Sequence, residues 1–466
     1  MNGRAPSRIL VAAAAAAFAL LAAFAGPAAP PVHAADPVFG SPTIDAKFDE
    51  GVELTQPVTL DETPKRVEVL ITFADAPGPL VVELPPPGSI GPTTLRYQLG
   101  EVDAGHIVPN TPISAQWRIT AQDGAPVIGP SVDTVYDDDR FTWQTIDGEI
   151  VRLHWYEGTQ AFAERALQFG DTATKETADL LGVTEDEPVD FYIYADSAAF
   201  AQAMGPGTPE SVVGQAHSDI RTMFALIPPN DINDPEIGRV VPHEMVHLVF
   251  DTASRNPYHF PPRWLNEGLA VYLSEGYTPS DRSSVESAAR DGTLVPLDGL
   301  TGDFPSGDKV FLAYSESASA VDFIVRSRDR DVLVSLIRSY ADGKTDDEAF
   351  TAAIGMTMTE FNDAWMAELG AVKPERFGPQ PAPPGPRPAA WEGPDGPSAT
   401  TPPVQPGQIA TPRPGTGGGS LGFAREDVTL ALVVVALIVF AAAAALAWSR
   451  ARRGRPPAGP AGPAGP

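Results

Sequence analysis

Alternation of apolar and polar residues over the first third of the chain predicts β-strands. Residues 113–120 alternate without a break, and their apolar members, Trp117 among them, fall on one face, as in a half-buried strand. Residues 66–74 and 141–146 show a similar pattern between Gly and Pro turns, with no helical period in between. The pattern predicts an all-β, sandwich-like domain over residues 35–150.

From about residue 151 the apolar period changes. Residues 160–181 carry Ala, Leu and Phe at helical spacing, and residues 189–194 form an apolar run typical of a strand. After Pro262 helical periods dominate, including one that opens with a capping-box sequence at Thr357. The sequence therefore predicts an α+β domain over residues 151–372, so the chain as a whole is multidomain.

The N-terminus has the pattern of a secretory signal peptide. Arg4 and Arg8 precede an apolar run over residues 9–25, which prolines and a small-residue sequence follow. This pattern predicts a signal peptide over residues 1–34, removed after export. The alternative is an uncleaved N-terminal anchor, and either interpretation places the chain outside the cytoplasm.

Residues 428–448 contain no charged side chain and are long enough for one transmembrane helix. Four arginines follow in the tail at 449–466, so the positive-inside rule predicts that this tail is cytoplasmic. Residues 373–425 are rich in Pro and Gly and predict a disordered linker. We therefore expect a single-pass protein of the cell membrane with its bulk outside.

Composition excludes several classes of protein and of site. The 466 residues carry 60 acidic and 32 basic side chains, for a formal net charge of −28, which argues against nucleic acid as a partner. The chain has no cysteine, so disulfides, thiolate ligands and cysteine nucleophiles are excluded. Any metal site must use histidine and carboxylate.

The strongest local motif is His243-Glu244-Met-Val-His247. On an α-helix the two histidines lie on one face and can bind one ion, while Glu244 stands beside the open coordination position and can activate a water. Asp234 is a good N-cap for this helix. Pro242 either kinks it or sits in the first turn of a shorter one, and both options leave the motif helical.

Glu267 is the expected third ligand. It lies twenty positions after His247 in Trp264-Leu-Asn-Glu-Gly-Leu-Ala-Val-Tyr272, on a second predicted helix. Two histidines and one carboxylate leave the fourth position of a single Zn²⁺ ion to water, as in catalytic sites.

With these motifs the chain resembles the gluzincin zinc metallopeptidases. The WLNEGLAVY stretch is similar to that of aminopeptidase N-like enzymes, and the layout resembles peptidase MA-like domains. The resemblance implies that His243, His247 and Glu267 bind zinc and that Glu244 is the general base. It also implies a tyrosine on a later helix that stabilises the oxyanion; Tyr314 is the candidate, while Tyr272 and Tyr258 compete for this role.

Two features depart from the family pattern. The Gly-x-Met-Glu-Asn element that holds a free amino terminus in aminopeptidase N-like enzymes is missing from the sequence. Val271 stands where thermolysin-like chains carry an Asp that orients a zinc-bound histidine. Separately, the apolar run at 223–227 predicts a strand whose edge could pair with an extended peptide.

The sequence leads to one main hypothesis and one alternative. The main hypothesis is a membrane-anchored, extracytoplasmic zinc peptidase that cleaves a peptide or protein substrate with a Glu244-activated, zinc-bound water. The alternative is a non-enzymatic surface-binding or adhesion module on a metallopeptidase-like scaffold. The intact general base favours the enzyme.

Overall fold

The computed structural model describes residues 36–74, 76–100, 104–206, 213–256, 259–305, 307 and 309–372. The predicted signal peptide, linker, transmembrane helix and basic tail lie outside these ranges and stay predictions. None of the helices within the ranges is long and apolar enough to cross a bilayer.

The N-terminal strands form two antiparallel sheets. In the first sheet β3 pairs with β1, β2 and β6; in the second, β4 lies between β5 and β7, and β7 also pairs with β8 and β9. The strands are β1 Val38–Phe39, β2 Thr43–Lys47, β3 Gly51–Leu60, β4 Arg66–Phe73, β5 Leu80–Leu84, β6 Gly91–Leu99, β7 Thr111–Thr120, β8 Pro126–Ile128 and β9 Val132–Tyr136.

The two sheets share one core. Along β7 the apolar residues predicted to face inward, with Trp117 at the centre, are all buried. The inward residues of β3, such as Val52 and Leu54, belong to the same cluster. Inward and outward positions alternate because successive strand side chains point to opposite faces. The predicted sandwich-like domain is confirmed as a β-rich N-terminal region.

A third sheet follows, in the order β10-β11-β12-β14-β13. Strands β11, β12 and β14 are parallel, whereas β10 and β13 run antiparallel at the two edges. The strands are β10 Gln144–Asp147, β11 Val151–Trp155, β12 Val189–Tyr194, β13 Gly214–His217 and β14 Thr222–Leu226.

The sheet corrects two predictions. The strand expected at 141–146 begins at Gln144 and joins this sheet instead of the sandwich, because a tight hairpin pairs it with β11. Strand β14 has no free edge, since β12 and β13 cover both of its sides. The edge strand is therefore β13, whose four residues lack the apolar run that identifies β14 in the sequence.

Helices surround this sheet and then form a region of their own. They are α1 Gln160–Leu181, α2 Ser197–Met204, α3 Ile237–Ser254, α4 Arg263–Ser274, α5 Pro279–Asp291, α6 Lys309–Ser327, α7 Arg330–Ser339, α8 Asp346–Ile354 and α9 Met358–Glu368. The predicted helix at 160–181 and the capping box at Thr357 are confirmed. The helical core includes Trp264, which is fully buried and stacks on Phe361.

Helix α3 carries the HExxH motif and begins later than expected. Its first residue is Ile237, and the predicted N-cap, Asp234, instead accepts a hydrogen bond from the backbone N–H of Glu236 in the preceding turn. Pro242 lies inside the helix, where it removes one backbone donor. The motif is helical, as predicted under either placement of Pro242.

Candidate metal centre

Two imidazoles of α3 meet on one face of the helix. His243 and His247 are one turn apart, so their side chains are neighbours. Their Nε2 atoms lie 3.2 Å from each other, and their ring planes are nearly perpendicular. His243 is buried and the side chain of His247 is 14% exposed. The helix thus presents two nitrogen donors at one buried point.

Glu267 on α4 faces the same point. Its Oε2 atom lies 3.5 Å from the Nε2 atom of His243 and 3.5 Å from that of His247. The carboxylate is buried, and within the described residues Oε2 has no hydrogen-bond partner. A buried anionic oxygen without a partner is costly, and a cation bound between the three atoms would remove this cost.

The three atoms have the spacing that a zinc ion requires. Zinc bonds to nitrogen and oxygen are about 2.0–2.2 Å long, so two ligands of a tetrahedral ion lie about 3.3–3.6 Å apart. The observed separations are 3.2, 3.5 and 3.5 Å. Of the residues described, these three form the one group of His and carboxylate side chains that could hold a metal. The donor set therefore fits zinc and leaves one position open.

Asn266 orients one of the histidines. Its Oδ1 atom lies 2.9 Å from Nδ1 of His247 and can accept only from a protonated nitrogen. This hydrogen bond keeps the proton on Nδ1 and leaves the lone pair of Nε2 for a metal. The family pattern places the orienting residue at position 271, which is Val271 here, and the role of Asn266 was not predicted from the sequence. Asn266 lies near Nδ1 of His247 and its neighbour Glu267 lies near Nε2 of the same ring.

Glu244 stands next to the ligands with one free oxygen. Its Oε2 atom accepts a hydrogen bond of 3.2 Å from the backbone N–H of Ala216 in β13. Its Oε1 atom has no partner in the part of the chain that the structure describes. Burial raises the pKa of Glu244 to about 7, and a carboxylate with such a pKa can exchange a proton near neutral pH.

A glycine permits the close approach of the edge strand to α3. A β-carbon at Gly214 would lie 2.8 Å from Cγ1 of Val240 and 3.1 Å from Cγ of Glu244. Both distances are shorter than an ordinary carbon contact. Gly214 thus allows β13 to reach Glu244 with its backbone.

The two carboxylates of the site have different pKa values. Burial alone would raise the pKa of Glu267, but His247, His243 and Arg263 outweigh it and lower this pKa to about 2. Glu267 is thus ionised as a ligand must be, whereas Glu244 remains basic enough to accept a proton.

Tyr314 on α6 reaches the same site. It is 2% exposed, and its ring centroid lies 6.4 Å from that of His243. Burial raises the pKa of Tyr314 well above its usual value, so the hydroxyl keeps its proton. The structure therefore brings the predicted oxyanion candidate beside the ligands.

The competing tyrosines differ in position. Tyr272 is half-buried and packs against the helical core, and Tyr258 lies outside the described residues.

Arg263 is a further charged group of the site that the sequence analysis did not identify. Its Nε atom lies 3.4 Å from Oε1 of Glu267, one helical turn away. The i,i+4 spacing of Arg263 and Glu267 was visible in the sequence. It gave no signal because such pairs are common on exposed helix faces, and the burial of this one depends on packing.

Residues 171–371 match the family model of the Peptidase MA superfamily. No curated protein matches the chain. An aminopeptidase N family protein from Idiomarina loihiensis is similar over 69% of this chain and 74% of its own length, with 11% identity and a TM-score of 0.39. An M1 zinc metallopeptidase from Deinococcus radiodurans is similar over 73% of this chain and 94% of its own, with 14% identity and a TM-score of 0.36.

The two structural similarities are too weak to carry an argument about activity. The family match is different in kind, because it spans both ligand helices and the helix of Tyr314. It agrees with the resemblance found in the motifs. The match of residues 171–371 to the Peptidase MA superfamily model, together with the His–His–Glu cluster, is consistent with a gluzincin-like peptidase MA domain.

Proposed function

We propose that the chain is a zinc-dependent peptidase that hydrolyses peptide bonds with Glu244 as the general base. The observation that carries this proposal is the triangle of buried donor atoms from His243, His247 and Glu267, whose sides match a tetrahedral zinc ion. The carboxylate of Glu244, whose Oε1 atom has no hydrogen-bond partner among the described residues, adjoins the triangle. A purely structural zinc site would have four protein ligands and no need for this carboxylate.

Each residue has a distinct task in the proposed reaction. When bound, zinc supplies a Lewis acid that activates water and polarises the scissile carbonyl. Glu244 takes the proton of the attacking water on its free oxygen and then delivers it to the leaving amine. Its pKa of about 7 suits both transfers. Asn266 holds His247 in the tautomer that can act as a ligand.

Tyr314 is proposed to stabilise the developing oxyanion. Its hydroxyl keeps its proton at neutral pH and can therefore donate a hydrogen bond. Other donors in this role contribute about 3–4 kcal/mol to the transition state.

The edge strand supports a peptide as the substrate. The backbone N–H of Ala216 points away from β14 and toward Glu244. Because this N–H already donates to Glu244, an extended peptide would pair with other backbone groups of β13, and its backbone would then lie beside the general base. The mechanism requires neither a free amino terminus nor a free carboxyl terminus.

We also propose that the enzyme works outside the cytoplasm, anchored by residues 428–448. The signal-like N-terminus, the charge-free segment and the arginines after it support this topology. Protease added to intact cells should remove the globular part but spare the tail at 449–466. Deletion of 428–448 should release the protein into the medium, and retention in the cytoplasm would contradict the proposal.

The activity is tested with the purified, zinc-loaded full chain and a diverse peptide mixture, with the products identified by mass spectrometry. The matched variant is Glu244→Gln, which keeps the volume of the side chain and the three ligands but cannot accept the proton. We expect cleavage by the wild type, inhibition by a chelator with recovery on added zinc, and a loss of at least about 100-fold in the variant.

Two results would contradict this proposal. Equal cleavage by the wild type and Glu244→Gln would exclude the general-base role. No cleavage by a folded, zinc-loaded wild type would favour the surface-binding module, in which the same cluster is structural.

A further inference from the structure

Arg263 stands on the side of Glu267 that faces away from the two histidines. Glu267 turns Oε2 toward the imidazoles and Oε1 toward the Nε atom of Arg263, 3.4 Å away. The side chain of Arg263 is 13% exposed. The two oxygens of the ligand thus have separate partners, one for the metal position and one for the guanidinium.

Other groups fix the guanidinium from behind. Its Nη1 atom lies 3.4 Å from Oδ1 of Asp303, and its central carbon lies 5.0 Å from the centre of the Phe304 ring. Phe304 packs edge-on against Tyr314. Arg263 is therefore held between Glu267 on one side and Asp303 and Phe304 on the other.

A cation near a metal position acts in two opposite ways. It repels a divalent ion, and it fixes the carboxylate that binds the ion. Here Asp303 offsets the charge of Arg263, while the contact at Oε1 restricts the rotation of Glu267. If this buried carboxylate were free to rotate, Oε2 would no longer point toward the two imidazoles. No other group among the described residues donates a hydrogen bond that would hold Oε2 in place.

We propose that Arg263 is a positioning residue that holds Glu267 in its metal-binding rotamer and so sets the affinity of the site for zinc. This inference rests on the proposed zinc site and adds a determinant outside the ligand set. Partners of ligands in other metal sites typically change metal affinity by about 10- to 100-fold, and the same range is expected here.

The test is the dissociation constant for Zn²⁺ of the full chain, measured by competition with a chromophoric chelator. Arg263→Met keeps an unbranched apolar side chain at this position but loses the contact with Glu267, and should bind zinc about 10- to 100-fold more weakly. Arg263→Lys, with one donor in place of a fork, should fall in between. Asp303→Asn, at a side chain that is 54% exposed, should show a smaller loss.

A matched control is Arg326→Met. Arg326 also pairs with a carboxylate four positions away, Asp322, with an Nε–Oδ2 distance of 2.6 Å. Asp322 is not a ligand candidate, so this variant should bind zinc like the wild type. The visible spectrum of bound Co²⁺ gives a second measurement, and it should change in Arg263→Met but not in Arg326→Met.

The outcomes separate this inference from the proposed function. Zinc binding and cleavage by the wild type, together with unchanged zinc affinity in Arg263→Lys and Asp303→Asn, would overturn the role of Arg263 alone. If Arg263→Met does not fold, these two milder variants decide the question. No zinc binding by the folded wild type would overturn the site itself.

Discussion

Gly268 lies so close to Ser317 that a β-carbon at position 268 would stand 2.5 Å from the Ser317 carbonyl oxygen. This contact is between α4 and α6, directly after Glu267 and one turn from Tyr314. A glycine is therefore required where the helices that carry these two residues cross. The close approach of the helices fixes the distance between Glu267 and Tyr314.

We expect Gly268→Ala to destabilise the protein by about 1–3 kcal/mol, because the added methyl group must push backbone atoms apart. Denaturant unfolding of the full chain measures this. Gly238→Ala is the control, since the nearest atoms to its β-carbon would be at 3.5 Å in the Phe169 ring. In the first turn of α3 that substitution should be neutral or stabilising. Equal effects of the two substitutions would contradict the close-crossing argument.

Removal of the partner of His247 should weaken zinc binding. Asn266→Ala leaves Nδ1 of His247 without its acceptor, so both the tautomer and the ring orientation are lost. We expect an affinity about 10- to 100-fold lower than in the wild type, measured by chelator competition. Asn266→Asp supplies another acceptor at the same place and should retain zinc. A loss of the same size in both variants would show that the hydrogen bond is not the cause.

The sequence predicted which three side chains meet at the candidate metal centre, because their geometry is local or is carried by a motif. Two histidines four residues apart share a helix face wherever the helix packs. Glu267 was placed by the resemblance of its surrounding motif, and the distances of 3.5 Å to both imidazoles agree with that placement. A long segment with a regular helical spacing of apolar residues, such as the helix at 160–181, was equally predictable.

The parts that were missed depend on contacts between distant elements. Asn266 and Arg263 acquire their roles only because α4 packs against α3 and against the segment at Asp303. Strand β13 has four residues, one of them Gly214, and is extended because β14 pairs with it. Neither a hydrophobic period nor a turn signal reports such pairing.

A buried acid away from the metal centre predicts a pH dependence of stability. Glu316 on α6 is fully buried; the backbone N–H of Val295 donates to its Oε1, and in the described part of the chain its Oε2 has no partner. Burial raises the pKa of Glu316 well above its usual range. The unfolded group titrates near pH 4.3, so between the two pKa values the folded state binds one more proton than the unfolded state.

It follows that this group lowers the free energy of unfolding as the pH rises above about 4.3, by about 1.4 kcal/mol per pH unit, until the folded carboxyl ionises. Glu316→Gln resembles the protonated acid and removes this slope. We expect the variant to gain stability relative to the wild type between pH 5 and 8 in denaturant unfolding. A difference between the two proteins that does not change with pH would show that Glu316 is already ionised in the fold.

The approach of β13 to Glu244 predicts an effect on catalysis that is separate from metal binding. In Gly214→Ala the new methyl group would overlap Val240 and press on the Cγ atom of Glu244, so the edge strand and the general base must move apart. None of the three ligands is touched. Because a displacement of about 1 Å can cost roughly 100-fold in rate, we expect kcat/KM for peptide cleavage to fall by about 10- to 100-fold at unchanged zinc affinity. Asp303→Asn should have the opposite effect. It should weaken zinc binding, and excess zinc should restore kcat. If Gly214→Ala instead lost zinc and activity in parallel, the edge strand would act through the metal site and not through Glu244.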